Sequence, residues 1–92
     1  MEFEWDGSKC ARNLAKHGVD FDSVKDMDWE SALRFIDRRE DYGEIRYLAL
    51  GFIGSRLHVC VYTEREGHYR IISLRKANWK EEKLYENQTV DE

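Results

Sequence analysis

The sequence predicts an α+β fold: an antiparallel β-sheet of about four strands, packed by N-terminal helices and followed by a C-terminal helix. Three observations carry that expectation. Between Glu44 and Lys76 lie three runs of strand-type residues, 45–53, 56–63 and 69–76, separated by glycine-bearing turns at Gly54-Ser55 and 64–68. Ahead of them, Asp6 is a good N-cap for a helix that Gly18 can end in the left-handed conformation. Behind them, Asn78 with Glu81 three residues later has the spacing of a capping box.

Taken in order, Phe3-Glu4-Trp5 alternates like a short strand, and the first helix runs from Gly7 to about His17. Cys10, Ala11, Leu14 and Ala15 recur at three- and four-residue spacing, so this side is expected to cover the sheet, leaving Lys9, Arg12, Asn13 and Lys16 opposite. Residues 20–27 read as a second, shorter helix with Phe21, Val24 and Met27 on one side. Trp29 to Ile36 reads as a strand and 37–43 as a polar loop. In the central run a period of two sends Leu57, Val59 and Val61 to one face and His58, Cys60 and Tyr62 to the other. The first set should lie beneath a helix; the mixed set should present hydroxyl, imidazole and guanidinium groups. Trp79, Leu84 and Tyr85 give the last helix its packing side, and 87–92 should fray.

Ninety-two residues make one domain, 1–92, burying roughly two-thirds of its surface. Hydrophobic residues at 41% suffice for a core, no apolar run is long enough to span a bilayer, and the acidic N-terminus is unlike a signal peptide. The expected location is the cytoplasm. Cys10 and Cys60 stand far apart with no CxxC or CxxH spacing, so neither a metal site nor a cofactor is expected. The net charge of −4 is unevenly spread: residues 1–44 carry seven Lys/Arg against twelve Asp/Glu, whereas 45–80 carry seven against two. A basic sheet on an acidic molecule can meet a polyanion while the rest resists indiscriminate binding.

Two groups of residues add a resemblance. The first is Phe3-Glu4-Trp5-Asp6, Lys9, Asn13 and Lys16-His17-Gly18-Val19 followed by Phe21. The second is Gly43-Glu44 with Arg46, then Val61-Tyr62-Thr63-Glu64-Arg65, Arg70-Ile71-Ile72-Ser73, Arg75-Lys76-Ala77 and Tyr85. In this order and spacing the chain resembles the BrnT-type toxins of bacterial type II toxin–antitoxin pairs, small ribonucleases of RelE-like fold. Cys60, where an aliphatic residue is expected, and the acidic additions in 20–27 and the tail depart from the pattern. The resemblance implies metal-independent RNA cleavage that stops translation and growth. It also implies a BrnA-like ribbon-helix-helix antitoxin, a 2:2 heterotetramer with it, and promoter DNA bound only through the antitoxin.

Such cleavage needs a base for the 2′-OH proton, a cation for the charged phosphorane and an acid for the leaving oxygen. Arg65, Arg70 and Arg75 are the candidate cations, with Lys76 nearby, because a guanidinium offers paired hydrogen bonds to phosphate and keeps its charge. Arg75 is expected to share its face with Ser73 and Ile71, and Arg70 to point the opposite way; Arg65 and Arg75 should converge on one hollow. His17, Glu64 and His58 are the candidate bases, Tyr62 or Tyr85 a candidate stacking residue, and Lys9 and Lys16 a candidate track for the phosphate backbone. An inactive, RelE-like module that only binds a partner protein, or an RNA binder that does not cut, would use the same scaffold.

Overall fold

The computed structural model describes residues 1–89. The chain runs β1 (Glu2–Glu4), α1 (Gly7–His17), a 3-10 turn (Phe21–Asp26), β2 (Leu33–Ile36), β3 (Tyr47–Ile53), β4 (Arg56–Arg65), β5 (His68–Lys76) and α2 (Trp79–Thr89). The class is α+β, with a five-stranded sheet in the order β1-β5-β4-β3-β2. The fifth strand is β1, which pairs parallel with β5 through Phe3↔Tyr69, while the other neighbours are antiparallel. Gly54 (φ 62°) opens the β3–β4 turn, and Glu66-Gly67, both at positive φ, close β4–β5.

Local chemistry sets the element ends. The Asp6 carboxylate accepts from the backbone N–H groups of Ser8 and Lys9, and Gly18 at φ 72° ends α1. Asp20 caps the segment expected as a second α-helix, which tightens into a 3-10 turn. The strand expected from Trp29 begins only at Leu33, because Asp28 accepts from the Ser31 backbone and hydroxyl to make a turn. Trp29 leaves the sheet and enters the core, its indole N–H donating to the Val24 carbonyl at 3.0 Å and its ring stacked on Phe3. Asn78 and Glu81 exchange reciprocal bonds at 2.8 and 2.9 Å, so the expected capping box is present. Helix α2 extends through Thr89, beyond the start of the expected fraying; 90–92 lie outside the described residues.

Both sheet faces are covered, and the division differs from the expected one. Cys60 and Tyr62 belong to the larger core with Phe21, Val24, Met27, Ala49, Ile71 and Leu74, beneath α1 and the 3-10 turn. Leu57 and Val59 pack with Leu50, Ala77 and Tyr85 on the α2 side. The side of α1 that faces inward is also not the Ala11–Leu14–Ala15 stripe: Leu14 is 46% exposed, and the inward positions are Cys10, Asn13 and His17. The reason lies in β5, whose outer edge β1 covers only as far as Arg70. Beyond it the backbone groups of Leu74 lack a strand partner, and Asn13 supplies one. No helix among the described residues is long and apolar enough to cross a membrane.

Candidate active site

Strand β5 carries a β-bulge that decides where its arginines point. Tyr62 pairs with Ile71 and Val61 with Ser73, so Ile72 is an extra residue opposite none. One inserted residue reverses the in–out alternation beyond it. Arg70, opposite Thr63, and Arg75, opposite Val59, therefore lie on the same face, because Thr63 and Val59 are four residues apart on β4. The expectation that Arg70 points away from Arg75 is thus corrected, as is the grouping of Arg75 with Ile71, which lies in the core beneath α1. Arg65, two residues beyond Thr63, shares this face as well. All three guanidiniums sit on the α2 side, with Ser73 and Val61 between them.

Each has a carboxylate neighbour. Glu81 holds the two Nη atoms of Arg75 at 2.7 and 2.8 Å, and this contact raises the Arg75 pKa and lowers that of Glu81. Arg70 donates to Glu4 at 3.0 Å. Glu44 bridges Arg46 at 3.2 Å and Arg65 at 3.6 Å, and Arg46 also stacks over the Tyr42 ring at 4.0 Å. Arg65 and Arg75 nevertheless stand at opposite ends of the hairpin, one facing His68 and the other Val59. Arg65 lies six residues along β4 from Val59, which at 3.3 Å per residue puts the two positions about 20 Å apart. They share a face but not one hollow.

A cleft of about 380 Å³ opens where α1 meets the outer edge of β5, lined by Lys9, Arg12, Asn13, Lys16, His17, Ile72 and Ser73. Its three cations come from one flank of α1, and its floor from the stretch of β5 that β1 leaves uncovered. His17 closes the helix here. Burial, Lys16 and Arg75 all lower its pKa, so the imidazole is neutral near pH 7 and sits in the electrostatic field of Arg75. Ser73 joins the two regions: it lines the cleft and shares the α2-side face with Arg75. A second notch of about 210 Å³, bordered by Glu82, Glu86, Phe52 and Tyr85, has the wrong charge for phosphate.

A family model described as "Ribonuclease toxin, BrnT, of type II toxin-antitoxin system" matches residues 5–81. The chain belongs to the BrnT family. Among solved structures it is similar to the crystallised ribonuclease toxin BrnT of Brucella abortus, at 26% identity and a TM-score of 0.69, over 85% of this chain and 97% of that one. No curated protein sequence matches. As a BrnT-family member the chain is a ribonuclease toxin of a type II toxin–antitoxin system.

In this BrnT chain Lys9, Lys16 and His17 meet in one cleft, and Arg65, Arg70 and Arg75 lie on one face, but the remaining sequence candidates disperse. Tyr62 is only 2% exposed, stacked on Tyr47 and against Tyr69, and is hydrogen-bonded by Arg34, so it has no free face for a base. Burial pushes its phenol up to about 12. Glu64, between Thr63 and Arg65, projects to the other side of the sheet, as does Lys76 opposite His58. His58 is buried, with Nδ1 2.9 Å from the Arg56 carbonyl, and reads as structural. Tyr85 packs edge-on against Phe52. The residues missed are Arg12 in the cleft, Glu44 and Arg46 beside Arg65, and Glu81 on Arg75. Glu44 and Arg46 stood in the family pattern, and Arg12 on the basic flank of α1; Glu81 was legible only as a cap.

Proposed function

We propose that this BrnT-family toxin cleaves RNA without a metal ion, at a site centred on Ser73, between His17 on one side and Arg75 on the other. The observation that carries the reading is the bulge at Ile72, which turns Arg70 and Arg75 to one face next to a cationic cleft. Neutral His17 takes the proton from the 2′-OH, and the freed oxygen attacks the adjacent phosphorus. Arg75 neutralises the charge on the phosphorane oxygens. The bond to the 5′-oxygen breaks, that oxygen takes a proton from water while His17 returns its proton to solvent, and the products carry a 2′,3′-cyclic phosphate and a 5′-hydroxyl. Arg70, Arg65 and Arg46 hold the strand along the sheet face, and Lys9, Arg12 and Lys16 hold it along α1.

Metal independence rests on the guanidinium, which supplies fixed positive charge where a metal would otherwise act. Purified chain and RNA in chelator should give fragments with cyclic-phosphate ends, and Arg75→Ala should lower kcat by about 10²- to 10³-fold. Intact RNA beside a folded protein would reject the reading.

In the cell the expected setting is the cytoplasm, where cutting messages stops translation and growth, and the partner is a BrnA-like ribbon-helix-helix antitoxin in a 2:2 assembly that carries the promoter contact. What supports a protein partner here is exposed apolar surface: Phe35 and Ile36 on β2, Ile45, and Trp79 and Leu84 on α2. Trp29 contributes little to that surface, since its ring is in the core. Because Arg46, Arg65, Arg70 and Arg75 each have a carboxylate beside them, the same face also suits a chain that only binds its partner. RNA left uncut in the chelator assay, together with retained antitoxin binding, is the result that would favour this second reading.

A further inference from the structure

Glu81 is joined to two things at once. Its carboxylate accepts the Asn78 backbone N–H at 2.8 Å, closing the capping box of α2, and it takes Nη1 and Nη2 of Arg75 at 2.8 and 2.7 Å. This is an end-on grip. A guanidinium has a second, side-on fork made of Nε–H and the other Nη2 hydrogen, and Nε of Arg75 bonds nothing among the described residues. The neighbouring arginines differ: Arg39 spends its side-on fork on Asp37 at 2.8 and 2.7 Å, and Arg46 gives its Nε to Glu44. Arg75 is held from behind with its phosphate-matching edge unspent.

We infer that Glu81 is a positioning residue for RNA cleavage: it fixes the Arg75 guanidinium end-on so that the side-on fork receives the phosphodiester. The inference rests on the proposed role of Arg75. The backbone N–H of Asn78, which does not depend on the Asn78 side chain, gives the carboxylate its second anchor. Glu81 itself touches no RNA.

The test compares Glu81→Gln, which keeps an oxygen for the Asn78 N–H but loses the second acceptor and the charge, with Asn78→Ala, which weakens the cap and leaves the Arg75 contact. Cleavage is measured as kcat and KM separately, with thermal melting alongside. Glu81→Gln should lower kcat roughly 10- to 100-fold, the scale of a misplaced reacting group, with KM within about twofold. Asn78→Ala should keep wild-type kcat. Unchanged or faster cleavage by Glu81→Gln overturns the inference, since Glu81 would then be a competitor for the fork. An equal loss in Asn78→Ala also overturns it, because helix integrity alone would explain both. If Arg75→Ala itself cuts normally, the proposed site fails; if Arg75→Ala is dead and Glu81→Gln is wild-type, only this inference does.

Discussion

The Asn13 carboxamide is bonded to both backbone groups of Leu74, accepting its N–H at 3.2 Å and donating to its C=O at 2.7 Å. In effect a side chain takes the place of a strand at the edge that β1 leaves open, and its second N–H hydrogen goes to the Val19 carbonyl at 3.0 Å. Asn13 thereby locks α1, the β5 edge and the turn after Gly18 together, and it fixes the wall of the basic cleft. Asn13→Ala strands buried groups at each partner and should lower unfolding free energy by roughly 2–4 kcal/mol. Asn13→Asp should also destabilise, because a carboxylate cannot donate to the two carbonyls. Urea denaturation measures both, and wild-type midpoints would remove Asn13 from this role.

Lys9 and Lys16 face the cleft but form no part of the chemistry proposed at Ser73 and Arg75. Replacing either with Ala should weaken RNA binding without sequence preference and reduce the salt slope of log K by ~0.7 for each phosphate that is no longer neutralised. It should leave kcat at saturating RNA near wild type. Binding isotherms across a salt series read the slope; a slope equal to wild type would mean that the strand does not follow α1.

His17 should show itself in the pH profile. Its pKa is lowered from 6.5 by burial and by the charges of Lys16 and Arg75, so the base form persists below the ordinary histidine range. The acid limb of kcat/KM should therefore lie below pH 6.5 and vanish in a residually active His17→Gln variant. The same shift affects stability: a histidine whose folded pKa is lowered favours folding above its unfolded pKa and loses that advantage as the pH falls. An unchanged acid limb in His17→Gln would assign the base to another group.

Asp37 sets a separate acid threshold away from the cleft. Paired side-on with Arg39, its carboxyl is held down to about 2, against an ordinary value of 3.8. A carboxyl depressed in the folded state contributes stability above its unfolded pKa, and that contribution is lost as pH falls from about 4 to about 2. With Arg39 largely exposed the amount is about 1 kcal/mol. Asp37→Asn should be less stable than wild type at pH 6, with most of that gap closed at pH 2. A gap that does not narrow in melts across that range would contradict the assignment.

Much of the fold was legible because its strands and caps are local. The alternation in 56–63, the Asp6 and Asn78 caps and Gly18 each act within a few residues. The choice of main core was not legible, since both faces of β4 are covered and Tyr62 lies beneath α1 while Val59 lies beneath α2. Asn13 misled in the same way: a polar residue looked solvent-facing until the open edge of β5 gave it partners 61 positions away. The bulge at Ile72 was the decisive loss, because one extra residue leaves no mark in the pattern Arg70-Ile71-Ile72-Ser73-Leu74-Arg75 yet flips Arg75 relative to Arg70. Basic charge on the meander was readable as a sum; its gathering on one face depended on that flip.

The central claim is that RNA lies across the α2-side face, where the bulge has turned Arg70 and Arg75 together, and it is tested most directly by NMR titration with an RNA analogue. Replacing the attacking 2′-OH with hydrogen at the cleavage position keeps the strand intact while the spectra are recorded. The backbone amide of Ser73 and the guanidinium signals of Arg70 and Arg75 should shift together and saturate at one affinity, while Glu64 and Lys76 stay still. Shifts confined to Glu64 and Lys76, with Arg70 and Arg75 silent at saturation, would contradict it.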